Sequence, residues 1–303
     1  MLKLPRSSQR PVPSPWYDSM KEKIISFIFT LLGLIAVALV LVITLYLLVA
    51  GIPAIREIGL FEFLFGRTWK STGQDPQFGI LPFILTSIYG TCGAMVIGLP
   101  IGFFASVCLA KMVPARIKDL FEVLIGVLSG IPSVVYGLVG MLVLVPFIRK
   151  VFNLPDGASL FAAILVLSLM ILPSVIKVSL TSLEAVPRDY EEASLALGAT
   201  ETETYFRITV PAAKSGIFTS IVLGIGRAIG EAMAVMMVAG NVANMPSLFS
   251  SVRFLTTAVA IEMSYSSGLQ RDALFSIALV LFVFIMLINV VLNVVLKGGN
   301  RDE

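Results

Sequence analysis

Long apolar runs recur along almost the whole of this chain, and no other feature limits its folding so strongly. A helix needs about 20 apolar residues to cross the hydrocarbon core of a bilayer. Runs of that length lie near 24–50, 79–110, 119–148, 158–180, 212–240 and 272–296. Backbone N–H and C=O groups find no water at that depth, so each run is expected to close its hydrogen bonds as a helix. The expectation is an all-α polytopic membrane protein with about six transmembrane helices. Composition agrees: 14% of the residues are charged, against about a quarter in a soluble domain.

The first run is longer than a signal-peptide core and follows some twenty polar residues, so it reads as a span. Residues 1–23 carry Pro5, Pro11, Pro13 and Pro15 among Ser, Lys and Arg, and read as a disordered tail. The membrane domain is then 24–297, with a polar segment at 181–211 inside it and a short tail at 298–303. Several spans carry proline: Pro82, Pro100, Pro132, Pro146 and Pro173. Each lacks a donor, so another group must satisfy the carbonyl it frees. With the N-terminus inside, Lys and Arg favour the inner loops by about two to one, which predicts both termini cytoplasmic. The loops near 51–78 and 241–271 then face out, and 181–211 faces in.

Several chemistries are excluded. The sequence has no histidine, which removes histidine-based nucleophile systems and most zinc sites. Its two cysteines, Cys92 and Cys108, fall inside one apolar block and read as small fillers. No Gly-Lys dipeptide occurs, so no phosphate-binding loop of the Walker type is present, and ATP hydrolysis is not expected of this chain. The nearest serine-protease-like string, Val127-Leu-Ser-Gly130, lacks the first glycine of its pattern and has no base, which disfavours an intramembrane enzyme. A net charge of +3 with scattered basic residues predicts membrane lipid as the surroundings and no nucleic acid.

Two exceptions to apolarity carry the functional signal. Arg227 and Glu231 lie within the fifth run. An arginine at mid-span costs roughly 2.5–3.5 kcal/mol, so it faces a partner or a wet cavity. A spacing of four would put both charges on one helix face. They form either a self-neutralised packing pair, or a substrate-path site in which the guanidinium fork binds an oxyanion and Glu231 moderates it. Gly226 and Gly230 flank them in a G-x-x-x-G pattern suited to close helix contact. In the third run, Ser129-Gly-Ile-Pro-Ser-Val-Val-Tyr-Gly137 points to a broken helix, serving either as a packing kink or as a cavity wall that offers the hydroxyls of Ser129, Ser133 and Tyr136 to an anion.

The second exception is the inner segment. Pro187 suits a helix start, Asp189, Glu191 and Glu192 suit its positive end, and Gly198 suits its termination. Ala193, Ala196 and Leu197 form a small apolar stripe, and a second short helix is expected from about Glu201 to Ile208. The segment is either a surface hairpin or a handle for an external motor. Its spacing, Glu192-Ala193-Ser194, then Gly198, Ile208 and Val210-Pro211, resembles the EAA motif of ABC importer permeases, with Ser194 and Val210 as the departures. The resemblance implies the type I importer permease fold and a coupling element, carried by Glu191, Glu192, Ala193, Gly198, Ile208 and Pro211, that docks on an ATPase. It implies no cofactor on this chain, with ATP-Mg held by the ATPase.

Three further stretches resemble the PstC-type permeases of phosphate importers: Trp69 with Phe78-Gly-Ile-Leu-Pro-Phe83, the Gly130–Gly137 run, and Gly226–Val235 with Gly240-Asn241. That resemblance implies a bacterial plasma-membrane location, a PstA-type sister permease, a PstB-type ATPase dimer and a PstS-type phosphate-binding protein meeting the outer loops. It also places Arg227 and Glu231 on the phosphate path. Permeases for phosphonate, sulfate or molybdate, and a non-transporting phosphate sensor, stay open as alternatives.

Overall fold

The computed structural model describes residues 15–73 and 75–299. The chain divides between Val49 and Ala50 into two units. Helix α1 (Pro15–Ile58) starts within the expected tail, so residues 15–23 are helical; the rest of that tail, 1–14, and residues 300–303 lie outside the described residues. Five helices are long and apolar enough to cross a membrane, or six if one bent pair counts as a single span.

After α2 (Leu60–Phe65), two short antiparallel strands, β1 (Trp69–Lys70) and β2 (Gln77–Phe78), pair Trp69 with Phe78. The second span is α3 (Leu81–Lys111). The third expected span is two pieces: α4 (Ala115–Gly130) ends before Ile131-Pro132, and the chain resumes as α5 (Ser133–Val139), a π-helical turn over Gly140–Leu144, and α6 (Val145–Val151). The cause is Pro132, which cannot donate to the Leu128 carbonyl; Tyr136 Oη donates to it instead at 2.9 Å. Helix α7 (Leu160–Glu184) is the most buried of the helices long and apolar enough to cross a membrane.

The inner segment follows as α8 (Arg188–Ala196), α9 (Glu201–Thr204), a π turn over Tyr205–Thr209 and α10 (Val210–Ala212). Both π turns end two residues before a proline, Pro146 and Pro211. A proline ring clashes with the carbonyl four residues back, and a widened turn relieves that clash without ending the helix. The chain then bends by 69° into α11 (Lys214–Gly230).

The fifth expected span, 212–240, is not one helix. It stops at Gly230, passes through Glu231 in extended backbone (φ −74°, ψ 128°), and restarts as α12 (Met233–Val238). Two helices complete the chain, α13 (Leu255–Glu262) and α14 (Gly268–Gly299).

Close helix packing lies elsewhere than the sequence suggested. A Cβ built at Gly226 or Gly230 meets nothing within 4 Å, so the G-x-x-x-G face makes no tight contact within this chain. The close approach is between α3 and α7. There a Cβ at Gly93 would lie 2.6 Å from Ile164 Cδ1, one at Gly98 2.6 Å from Ile171 Cδ1, and one at Gly102 2.8 Å from Val175 Cγ1.

A polar cluster ties the outer elements together. Glu262, nearly buried at the end of α13, forms an ion pair with Arg253 and accepts from Trp69 Nε1 at 3.2 Å and Gln270 Nε2 at 3.0 Å. Arg253 also donates through Nε to the Asn241 carbonyl at 2.8 Å. One carboxylate thus joins the β hairpin, the loop after α12, α13 and the start of α14.

Two stability outcomes follow from this packing. Gly98→Leu is expected to cost about 1–3 kcal/mol through overpacking, while Gly226→Ala in open space stays within about 0.5 kcal/mol. Denaturant midpoints of the detergent-purified chain check both. Glu262→Ala leaves Arg253 without its buried partner and is expected to destabilise by about 3–5 kcal/mol; Glu262→Gln, which keeps an acceptor, falls between.

Candidate functional site

Helix α11 carries Arg227 at mid-depth of its apolar run, half-buried. Its Nη1 donates to Ser174 Oγ on α7 at 3.3 Å. The guanidinium is also close enough to the Tyr136 phenol on α5 to act on it electrostatically. Among the described residues no carboxylate lies within ion-pair distance of Arg227. The expected pairing with Glu231 is therefore absent. Its premise was a continuous helix, and the helix ends one residue before Glu231.

Glu231 instead caps the next helix. Its Oε1 accepts from the Ala234 N–H at 3.0 Å, and its carbonyl accepts from Thr256 Oγ1 of α13 at 2.8 Å. A carboxylate at a helix start suits the partial positive charge there. Glu231 thus holds the elbow between α11 and α12 and fastens it to α13.

The three hydroxyls named from the sequence have different situations. Tyr136 gives its proton to Leu128, and Ser129 gives its proton to the Ile125 carbonyl at 2.9 Å. Both work for the broken helix. Ser133, in the first turn of α5, makes no hydrogen bond within the described residues. Beside Tyr136 lies a cavity of about 800 Å³ between α3, α4, α5 and α7. Its walls are apolar side chains such as Leu124, Leu128, Val135 and Leu172, which makes it unsuited to an anion.

In the segment at 181–211, Pro187 stands just ahead of α8 with ψ 135°, and Arg188 opens the helix. Gly198 ends it at φ +90°, in the left-handed region that favours glycine. The expected second helix is the α9–π turn–α10 series, opened by a capping box in which Thr200 and Glu203 satisfy each other's backbone.

Its motif residues point two ways. Glu192, Ala193, Ala196 and Gly198 are exposed, and Leu197 is 90% exposed. Ile208 is half-buried, and Pro211 lies at the surface ahead of the bend. Glu191 turns inward: its Oε1 meets Lys111 Nζ at 2.5 Å and accepts from Thr209 Oγ1 at 2.9 Å. Ser194, one of the two departures from the motif, hydrogen-bonds Thr204 at 2.9 Å and so joins α8 to α9.

Sequence reasoning passed over Ser174, Lys111 and Glu262. Ser174 is a hydroxyl beside Pro173 in a span, and Glu262 is the only charge in the apolar helix Leu255–Glu262; both signals were readable. Lys111 was readable only as an inner-side charge, because its partner is 80 residues away.

Residues 98–298 match the family described as binding-protein-dependent transport system inner membrane component. The chain is 37% identical over 290 residues to the probable ABC transporter permease protein YqgH of Bacillus subtilis, covering 93% of this chain and 94% of that one. It is 34% identical to the phosphate transport system permease protein PstC of Pasteurella multocida, over 73% of this chain and 75% of the relative. Against PstC of Haemophilus influenzae identity is 32%, with 88% and 89% covered.

Among solved structures, a bacterial alginate ABC transporter chain superposes with a TM-score of 0.60 at 14% identity, covering 95% of this chain and 98% of that one. The MetNI methionine ABC transporter in an inward-facing conformation superposes at 0.54 and 18% identity, covering 73% and 94%. These likenesses give the fold, that of type I ABC transporter permeases. With its several apolar helices, the chain is a multi-pass membrane protein that belongs to the binding-protein-dependent transport system inner membrane components, the permease subunits of ABC importers.

Proposed function

We propose that this chain is the PstC-type subunit of an ATP-driven inorganic phosphate importer, moving phosphate unchanged by alternating access. One observation carries the reading: Arg227 sits half-buried in a membrane helix with a serine hydroxyl and no carboxylate beside it. An arginine at that depth faces a partner or a wet cavity, and an oxyanion in such a cavity supplies the counter-charge. The relatives named PstC, at 34% and 32% identity, support phosphate as that oxyanion.

In this reading Arg227 presents its remaining N–H donors as a fork to two phosphate oxygens. Ser174 orients the guanidinium, and Ser133 is the further hydroxyl on the path. Tyr136 and Ser129 line the path but spend their protons on the broken helix. Glu231 sets the elbow that aims α11, and its charge limits how tightly an anion is held. Both termini and α8–α10 lie on the cytoplasmic side, with a membrane domain over 24–297.

Partners follow the same reading. The exposed face of Glu192, Ala193, Leu197 and Gly198 docks on a PstB-type ATPase dimer, where ATP-Mg binds. A PstA-type permease completes the path. A PstS-type binding protein delivers phosphate to the outer loops.

The test uses the chain co-purified with its sister permease and ATPase, reconstituted in vesicles with the binding protein inside or outside. Arg227→Ala is expected to abolish phosphate uptake. Arg227→Lys, which keeps charge and loses the fork, should cut it by about tenfold, equivalent to ~1.4 kcal/mol. Uptake intact in Arg227→Ala would return that residue to a packing role. Competition by sulfate, molybdate or phosphonate at equal concentration would reassign the substrate.

For the coupling face, Gly198→Leu forces an L-residue into left-handed backbone at a cost of about 1–2 kcal/mol without any local clash. The expected outcome is an assembled complex whose ATP hydrolysis no longer drives uptake. Normal transport in that variant would remove Gly198 from the coupling surface.

A further inference from the structure

Two adjacent acidic residues of α8 point in opposite directions, and the inward one touches a helix that the coupling segment does not reach through the chain. Helix α8 follows α7 directly, through Ala185-Val186-Pro187. That link is non-helical and ends in extended backbone at Pro187 (ψ 135°), so it can bend and dissipate a push. Helix α3 has no covalent link of this kind.

What joins α3 to the coupling segment is Lys111, its last residue. Lys111 Nζ binds Glu191 Oε1, the same oxygen accepts from Thr209, and the Lys111 carbonyl accepts from Tyr205 Oη at 3.4 Å. Both charged side chains are largely buried, at 15% and 17% exposure. Around them Val107, Leu183, Val186 and Ala213 form a small apolar cluster. Apolar contacts are non-directional and allow sliding. A shielded, charge-assisted hydrogen bond fixes distance and direction.

We propose that Glu191 is a positioning residue that fastens the coupling segment to α3. Held to Lys111 and Thr209, it converts displacement of α8 into displacement of the α3–α7 pair. The glycine row of α3 against Ile164, Ile171 and Val175 leaves that pair no room to slip, and α7 carries Ser174 beside Arg227. The segment is then attached to α7 through the link at 185–187, to α11 through the bend at Ala213, and to α3 through the ion pair at Lys111. The two covalent links are bends in the chain; the ion pair adds an attachment that reaches α3 and fixes distance and direction. The assignment rests on the importer reading above.

The experiment uses the assembled complex in phospholipid vesicles, with two readouts. One is phosphate moved per ATP hydrolysed. The other is the ATP-dependent change in hydrogen–deuterium exchange over residues 103–111, which needs no transported substrate. Glu191→Gln keeps size and an acceptor for Thr209 but removes the charge; Lys111→Met removes the other half. Each is expected to lower phosphate moved per ATP by about tenfold while hydrolysis persists and α8 still responds to ATP. The response over 103–111 should be lost.

The charge exchange Lys111→Glu with Glu191→Lys should restore both readouts. The proposal is overturned if Glu191→Gln leaves phosphate per ATP unchanged. It is also overturned if residues 103–111 respond as in the parent protein, or if the exchanged pair restores neither readout. A parent complex that shows the response over 103–111 without any phosphate uptake would support the fastening and overturn the choice of substrate.

Discussion

Inside a bilayer every backbone donor and acceptor must find its partner within the protein, and the departures from regular helix in this chain follow from how that demand is met. Pro132 cannot donate to the Leu128 carbonyl, which instead accepts from the Ile131 N–H at 3.3 Å and from the phenol of Tyr136, one turn further along, at 2.9 Å. Pro146 and Pro211 leave their helices unbroken because a π turn widens the coil ahead of each. At Gly230 the helix stops altogether, and the Glu231 side chain supplies an acceptor for the start of the next. Three different devices serve one constraint, and each also aims a functional element. The first sets the Ser133–Tyr136 stretch against α12 and α7, the second precedes the 69° bend into α11, and the third separates Glu231 from Arg227.

That last separation changes the electrostatics of the site. A self-neutralised Arg–Glu pair would be a stable packing element with little left to offer an anion. Here the two charges are held by different neighbours, Arg227 by Ser174 and Glu231 by the Ala234 N–H. A membrane arginine with only a neutral partner among the described residues retains most of its desolvation cost, and in the proposed reading a passing anion would relieve it. One guanidinium and few hydroxyls would then make a weak site from which the ion could leave.

Much of this was legible in the sequence where the physics is local. Apolar run length located α3, α7 and α14 within a few residues, and it found α1, which runs beyond its apolar stretch at both ends. Gly130-Ile131-Pro132 announced its break, and Pro187 and Gly198 bracketed α8 because capping depends on neighbours in the chain. The failures share a cause. A spacing of four implies a shared face only while the helix continues, so Arg227 and Glu231 were joined across an end that apolarity alone does not reveal. The pattern Gly226–Gly230 implies close packing only if a neighbour approaches, and among the described residues none comes within 4 Å of a Cβ built at either glycine. Glu262 and Arg253, or Lys111 and Glu191, become partners through the tertiary fold, which hydropathy does not encode.

The adjacent residues Glu191 and Glu192 show how a motif and its support are divided. Successive residues on an α-helix are turned by about 100°, so one acidic side chain can lie against the protein while the next faces outward. Glu192 carries the spacing that marks the importer permeases, and it is exposed where a motor would bind. Glu191 lies outside that spacing, yet it makes the contacts that fix where α8 sits. A docking helix needs both properties. Without an outward face it receives no force, and without an inward anchor the force reaches the rest of the chain through the bends at Pro187 and Ala213, with no charged tie to α3. The anchor is an ion pair, and it lies where the segment meets α3, the helix with the tightest packing on α7. Contacts run without a break from α8 through Glu191 and Lys111 to α3, and from α3 to α7, which carries the serine beside Arg227.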